Sequence, residues 1–119
     1  MKQVTVGWFE IPVSDMDRAI SFYQKVFGCS LNKIDMGDFQ MAMFPNESGG
    51  EGAGGSLVLH QQFYKPSNLA GTLIYFSLDD VSEELVKVEE AGGTILIYKR
   101  IISPEHGYMG VFWIQKAIA

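Results

Sequence analysis

Residues 7–28, GWFEIPVSDMDRAISFYQKVFG, decide how the rest of the chain is read. They carry the signals of a strand, a cap and a helix in that order. Residues 8–13 are apolar apart from Glu10, and Ser14 and Asp15 are capping residue types. Met16, Ala19, Ile20, Tyr23 and Phe27 then recur at helical spacing before Gly28 ends the run. A displacement of 65 residues, which carries Gly7 onto Thr72, lays residues 72–93, TLIYFSLDDVSEELVKVEEAGG, beneath the first stretch without a gap. Phe9 then pairs with Ile74, Ile11 with Phe76, Asp15 with Asp80, Ile20 with Leu85 and Gly28 with Gly93. The chain reads as one motif used twice.

The segments after each copy extend the repeat. Residues 31–35 and 39–44 read as second and third strands joined by a Gly37-Asp38 turn, and residues 57–61 as a fourth. Between the third and fourth, residues 45–55, PNESGGEGAGG, read as a mobile hairpin loop. That loop feeds a strand rather than a helix, so its glycines do not form a phosphate cradle. Residues 63–71 read as a polar connection. In the second copy, residues 72–78 repeat the first strand, Asp79 or Asp80 caps the second helix, residues 94–98 repeat the second strand and residues 108–114 the third. The counterpart of the fourth strand would start at position 122, past Ala119. The expected fold class is α+β, two tandem βαβββ modules at residues 1–65 and 66–119, the second without its last strand.

Composition narrows the functional classes. A chain of 119 residues that is 47% hydrophobic and 13% aromatic is long enough for one domain with a real core, here one domain made of two half-domains. The formal net charge is −5, and only Lys99 and Arg100 are adjacent among the basic residues. Nucleic acid and anionic membrane surfaces are therefore not expected partners, since both need clustered positive charge. Cys29 is the single cysteine, which excludes an internal disulfide and a cysteine zinc cage. Glu10 and Pro12 interrupt the first apolar run, and no stretch approaches the length of a membrane helix. A cytoplasmic location is the expectation.

Two βαβββ modules in tandem, opened by WFEIPVSDMDRAISFYQKVFG, resemble the vicinal oxygen chelate superfamily, which includes glyoxalase I, bleomycin-resistance proteins and extradiol dioxygenases. The resemblance is closest to the glyoxalase-like branch related to lactoylglutathione lyase, of which GTLIYFSLDDVSEELVKVEEAGG is also typical. It covers the chain up to Trp113. It implies that the strands form a curved mixed sheet with a cleft. In metal-dependent members a divalent ion sits in the cleft on His and Glu side chains from the first and fourth strands of each module. Carried over, those positions fall near Trp8 and Leu73, neither of which binds a metal, at Val58 or His60, and past the end of the chain. No metal and no cofactor is expected. The resemblance also implies a homodimer, an expectation sharpened by the missing eighth strand, which leaves backbone groups unpaired at a sheet edge.

Strand alternation selects the candidate site. If Phe9 and Ile11 face the helix, Trp8 and Glu10 point to the other face, and His60 joins them if Leu57 and Leu59 face the helices. Tyr75 is the repeat partner of Glu10. A carboxylate in an apolar strand is costly unless it is paired or hydrogen-bonded, and desolvation would raise its pKa toward that of a general base. Trp8 and Tyr75 would supply aromatic walls suited to a flat or amphipathic molecule. The expected ligand-binding set is thus Trp8, Glu10, His60 and Tyr75, with a small-molecule ligand, cationic or amphipathic in keeping with the acidic charge. If the protein is an enzyme, it is a lyase or isomerase acting next to a carbonyl. Glu10 is then the base, and Tyr75 or His60 is the donor to the developing oxyanion. The alternative is stoichiometric sequestration of a toxic or antibiotic compound.

Overall fold

The structure, a computed structural model, describes residues 2–46, 52–67 and 71–114. Its elements run β1 (Trp8–Pro12), α1 (Met16–Phe27), β2 (Asn32–Asp35), β3 (Phe39–Met43), β4 (Gly54–His60), α2 (Val81–Glu90), β5 (Thr94–Ser103) and β6 (Gly107–Trp113). This is the expected α+β class. The chain divides into two compact units, Met1–Ile20 with Cys29–Pro66, and Ser21–Gly28 with Ser67–Ala119. The boundary after Pro66 lies one residue from the repeat boundary, but the last part of α1 belongs with the second unit.

In the first unit the sheet order is β1-β4-β3-β2, with β1 parallel to β4 and the other pairs antiparallel. Helix α1 starts where Asp15 Oδ1 accepts from the Arg18 N–H at 3.1 Å, and stops at Gly28, whose φ of +64° suits a residue without a Cβ. Met16, Ala19, Leu31, Ala42, Leu57 and Val58 are buried here. Each large aliphatic among them contributes about 1.5–3 kcal/mol by leaving water.

Strand β4 begins earlier than the glycine-rich sequence implies. Gly54 and Gly55, read as loop, are ladder residues opposite Trp8 and Phe9. The reason is aromatic cover. A Cβ on Gly55 would lie 2.4 Å from the Phe9 ring, and one on Gly54 would lie 3.2 Å from the Trp8 ring. Glycine is there to let two rings lie on the strand rather than to make a turn. The rest of that loop, 47–51, and the tail, 115–119, lie outside the described residues.

The second unit departs from the repeat at its first strand. Residues 72–78, expected as a strand, take part in no ladder among the described residues. In the first unit β1 pairs with β4, and among the described residues of the second unit no strand stands in the place of β4. Side chains hold the segment instead, since the half-buried Phe76 packs at 4.8 Å from Phe27 and 6.2 Å from Tyr23, centroid to centroid. Burial pushes the Tyr23 phenol well above its ordinary value.

The rest of this unit is α2 with the antiparallel β5–β6 ribbon. Asp80 is the N-cap of α2, accepting from the Ser82 N–H at 2.9 Å and from Lys99 Nζ at 3.2 Å. Both strands of the ribbon are longer or earlier than the sequence suggested, and the Ser103–His106 turn closes it through the His106 N–H on the Ser103 carbonyl at 3.2 Å. One side chain of the ribbon, Phe112, meets Phe22 at 5.7 Å.

Candidate functional site

The ladder registers sort the first sheet into two faces, because partners across a ladder point the same way. Trp8 opposes Gly54, Glu10 opposes Ser56, Pro12 opposes Val58, Met41 opposes Val58 and Phe39 opposes His60. Trp8, Glu10, Ser56, Val58, His60 and Phe39 therefore share one face. Phe9, Ile11, Leu57 and Ala42 are on the other. Val58 and His60, two residues apart, are on the same side. Tyr75 belongs to the second unit, where it is 64% exposed in the segment without a ladder.

Glu10 is half-buried. The neighbouring Glu10 carboxylate, with some desolvation, holds the Tyr64 phenol above its ordinary value. Tyr64 is brought there by a turn that His60 organises. The Gln62 and Phe63 N–H groups donate to His60 Nδ1 at 3.1 and 3.3 Å, and the chain then bridges back from Tyr64 to His60. Nδ1 thus acts as an acceptor for two backbone N–H groups. The imidazole is also ringed by aromatic side chains, with Phe63 at 4.9 Å and Phe39 at 5.8 Å. His60, expected as a ligand-binding residue or donor, thus uses its Nδ1 in shaping this turn.

Two residues of this face escaped the sequence reading. Tyr64 lay in a segment read as a polar connection, although the pair Phe63-Tyr64 was a signal that it packs on something. Ser56, opposite Glu10, is fully buried, and its Oγ is one of two buried side-chain polar atoms without a hydrogen-bond partner among the described residues, the other being Trp113 Nε1. Its parity with Val58 and His60 was open to inspection once the strand was extended back through the glycines. His106 is exposed and bonded to Ser103 Oγ at 2.8 Å, and takes no part.

Among the described residues the donor set does not fit the divalent ion that the resemblance implies. Trp8 stands at the first-strand position, and His60 Nδ1 is occupied by backbone N–H groups. Among the described residues no three His, Cys, Asp or Glu side chains converge in a way that could hold a metal.

Comparison with known proteins agrees with this description. Residues 5–45 match the profile of the bleomycin resistance protein-like N-terminal family. Among solved structures, the chain superposes on a point mutant of glyoxalase I from Zea mays with a TM-score of 0.68 at 21% identity, covering 89% of this chain and 41% of that one. The chain thus spans about two fifths of the length of the maize enzyme. A virulence protein from Salmonella typhimurium matches over 98% of this chain and 91% of its own, with a TM-score of 0.52 and 18% identity. A hypothetical protein from S. aureus matches over 93% of this chain and 86% of its own, with a TM-score of 0.54 and 18% identity. No curated protein matches the chain significantly. The fold is that of the glyoxalase-like βαβββ proteins. The profile match is confined to residues 5–45, and the solved structures share the fold over most of the chain.

Proposed function

We propose that the protein binds a small cationic or amphipathic molecule on the Glu10 face of the first sheet, without a metal. The observation that carries this reading is a half-buried carboxylate, set in an apolar strand and on one face with Trp8, Phe39 and His60, that makes no ion pair among the described residues. A carboxylate so placed gains most from a positively charged group, which adds Coulomb attraction to the hydrogen bond that any donor could make. Trp8, Phe39 and Tyr64 add ring surface of the kind that lines sites for flat molecules. The match of residues 5–45 to a bleomycin resistance protein-like family agrees with stoichiometric sequestration. The test is a ligand screen by thermal shift. Cationic aromatic compounds should raise the melting temperature, be recovered chemically unchanged, and lose their effect in Glu10→Gln. A screen in which only acidic compounds stabilise the protein would reverse the reading.

The same face favours a second reading, a lyase or isomerase in which the Glu10 carboxylate takes a proton next to a carbonyl. Tyr64, on the turn beside that face, joins Tyr75 and His60 as a candidate hydrogen-bond donor to the developing oxyanion. Turnover of a carbonyl compound that disappears in Glu10→Gln, with binding retained, would favour this reading over sequestration.

We also infer a homodimer formed through the second unit. Leu96, Tyr98, Ile101, Ile102 and Tyr108 on the β5–β6 ribbon are each about half exposed or more, and the ribbon has no third strand among the described residues.

A further inference from the structure

We propose that residues 61–64 form a pH-operated latch, held shut by the unprotonated Nδ1 of His60 and released when that nitrogen takes a proton. The latch is a property of the turn itself and is independent of what the Glu10 face binds.

One side chain and the backbone that follows it make the device. His60 ends β4 and the chain reverses at once, so that the Gln62 and Phe63 N–H groups both reach back to Nδ1, at 3.1 and 3.3 Å. An imidazole nitrogen accepts only through a lone pair, and protonation removes it. With a proton on Nδ1, three N–H groups would point at one another. Turning the ring over does not help, because it puts a carbon where the acceptor was. The charged ring therefore has no orientation that keeps either amide bond.

The choice of residue is what makes the turn sensitive. Elsewhere in this chain the same task falls to carboxylates: Asp15 accepts the Arg18 N–H, Asp35 the Gly37 N–H and Asp80 the Ser82 N–H. A carboxylate keeps its lone pairs throughout the neutral range, whereas imidazole is the side chain that changes charge between about pH 5 and 8. The ionisable groups on the elements packed against the ring are Tyr64 and Lys65 on the turn, Asp38 beside Phe39, and Glu10 on the same face of β1. They bear on whether the ring is charged, not on what a charged ring can accept.

Little else holds the turn. An isolated bridge joins His60 to Tyr64, and Lys65 Nζ donates to the Gln61 carbonyl. Phe63 packs on the imidazole at 4.9 Å but is 75% exposed, so it gives up little cover when the turn lets go. The β4 ladders end at His60, and opening the turn breaks none of their bonds. Tyr64, whose ring lies 5.8 Å from Phe39, would leave with the turn and uncover that end of the face.

The test follows the imidazole and the two amides of the whole protein by two-dimensional NMR from about pH 8 to about pH 5. At the upper end Nδ1 should show the nitrogen shift of an unprotonated acceptor, with the Gln62 and Phe63 amides protected from exchange. As the ring gains its proton, protection at these two amides, corrected for the pH dependence of free-chain exchange, should fall about tenfold, the factor that one hydrogen bond of ordinary net worth represents. Amides in β1 and β3 should keep theirs. His60→Asn puts an amide oxygen close to where Nδ1 stood, and should hold both amides across the range. His60→Gln, with its oxygen one bond further out, should leave them unprotected throughout. Protection that stays constant while the ring titrates would overturn the inference, as would a ring that stays uncharged across the range or an Nδ1 that already carries the proton at its upper end. Loss of protection on acidification in His60→Asn would also overturn it, by assigning the switch to another group. The wild-type titration decides the case even if a variant fails to fold. None of these results touches the ligand reading of the Glu10 face, and a failed ligand screen would leave the latch standing.

Discussion

The Tyr64 phenol keeps its proton to a higher pH than a free tyrosine because the Glu10 carboxylate is beside it. The folded value is raised above the unfolded one. The interaction therefore supports the fold fully below the unfolded value, about 10, and that support is lost as pH rises through the folded value. Ultraviolet titration of phenolate should show one tyrosine moving back toward its ordinary range in Glu10→Gln. An unchanged titration curve would mean that the two groups do not meet. Ser56 gives a prediction of opposite character. Its buried hydroxyl lacks a partner, so Ser56→Ala should stabilise the free protein by about 1 kcal/mol in urea unfolding. A loss of stability would show that the hydroxyl has found a hydrogen bond. Of these residues, Glu10 was legible as soon as strand alternation was applied. Tyr64 was not, because what defines it is a partner 54 positions away in the chain, and composition in its own neighbourhood says only that a connection runs there.

Strand β4 and helix α2 show where local sequence speaks clearly and where it does not. The Asp80 cap was readable because capping is decided within one turn. Its carboxyl is held below the usual range first by the Ser82 N–H, with Lys99 adding to the effect. A depressed folded value means that the cap's contribution is present above the unfolded value near 4 and is lost as pH falls through the folded one. Asp80→Asn should therefore flatten the acid limb of the thermal stability profile. An acid limb identical to wild type would argue against a charged cap. The first turn of β4 is a different matter. Glycine pairs ordinarily announce a loop, and only the rings of Phe9 and Trp8, supplied by another strand, make Gly54 and Gly55 strand residues. Gly55→Ala should cost about 1–3 kcal/mol through overpacking against Phe9. Gly7→Ala, with nothing within 4 Å, should be close to neutral. Residues 72–78 alternate as a strand would, yet they join no ladder among the described residues, and a ladder is what alternation by itself does not specify.

For the whole molecule, the acidic charge and the apolar β5–β6 ribbon make the association state the property to measure. Sedimentation should find a dimer that Leu96→Glu with Tyr98→Lys converts to monomer, with the two units still folded. A wild-type monomer at high concentration would remove the proposed interface. The repeat itself was visible from one displacement of the sequence, but it suggested two modules cut cleanly between the copies, and α1 does not respect that cut. Phe22, Tyr23 and Phe27 lie on the first copy's helix, yet their ring neighbours Phe76 and Phe112 lie on the second. A gene divided after Pro66 would yield a leading half that shows water three aromatic side chains, each worth about 1.5–3 kcal/mol when covered. The two copies can no longer live apart, and an attempt to resurrect the single-motif ancestor from this chain would have to redesign the back of one helix before anything else.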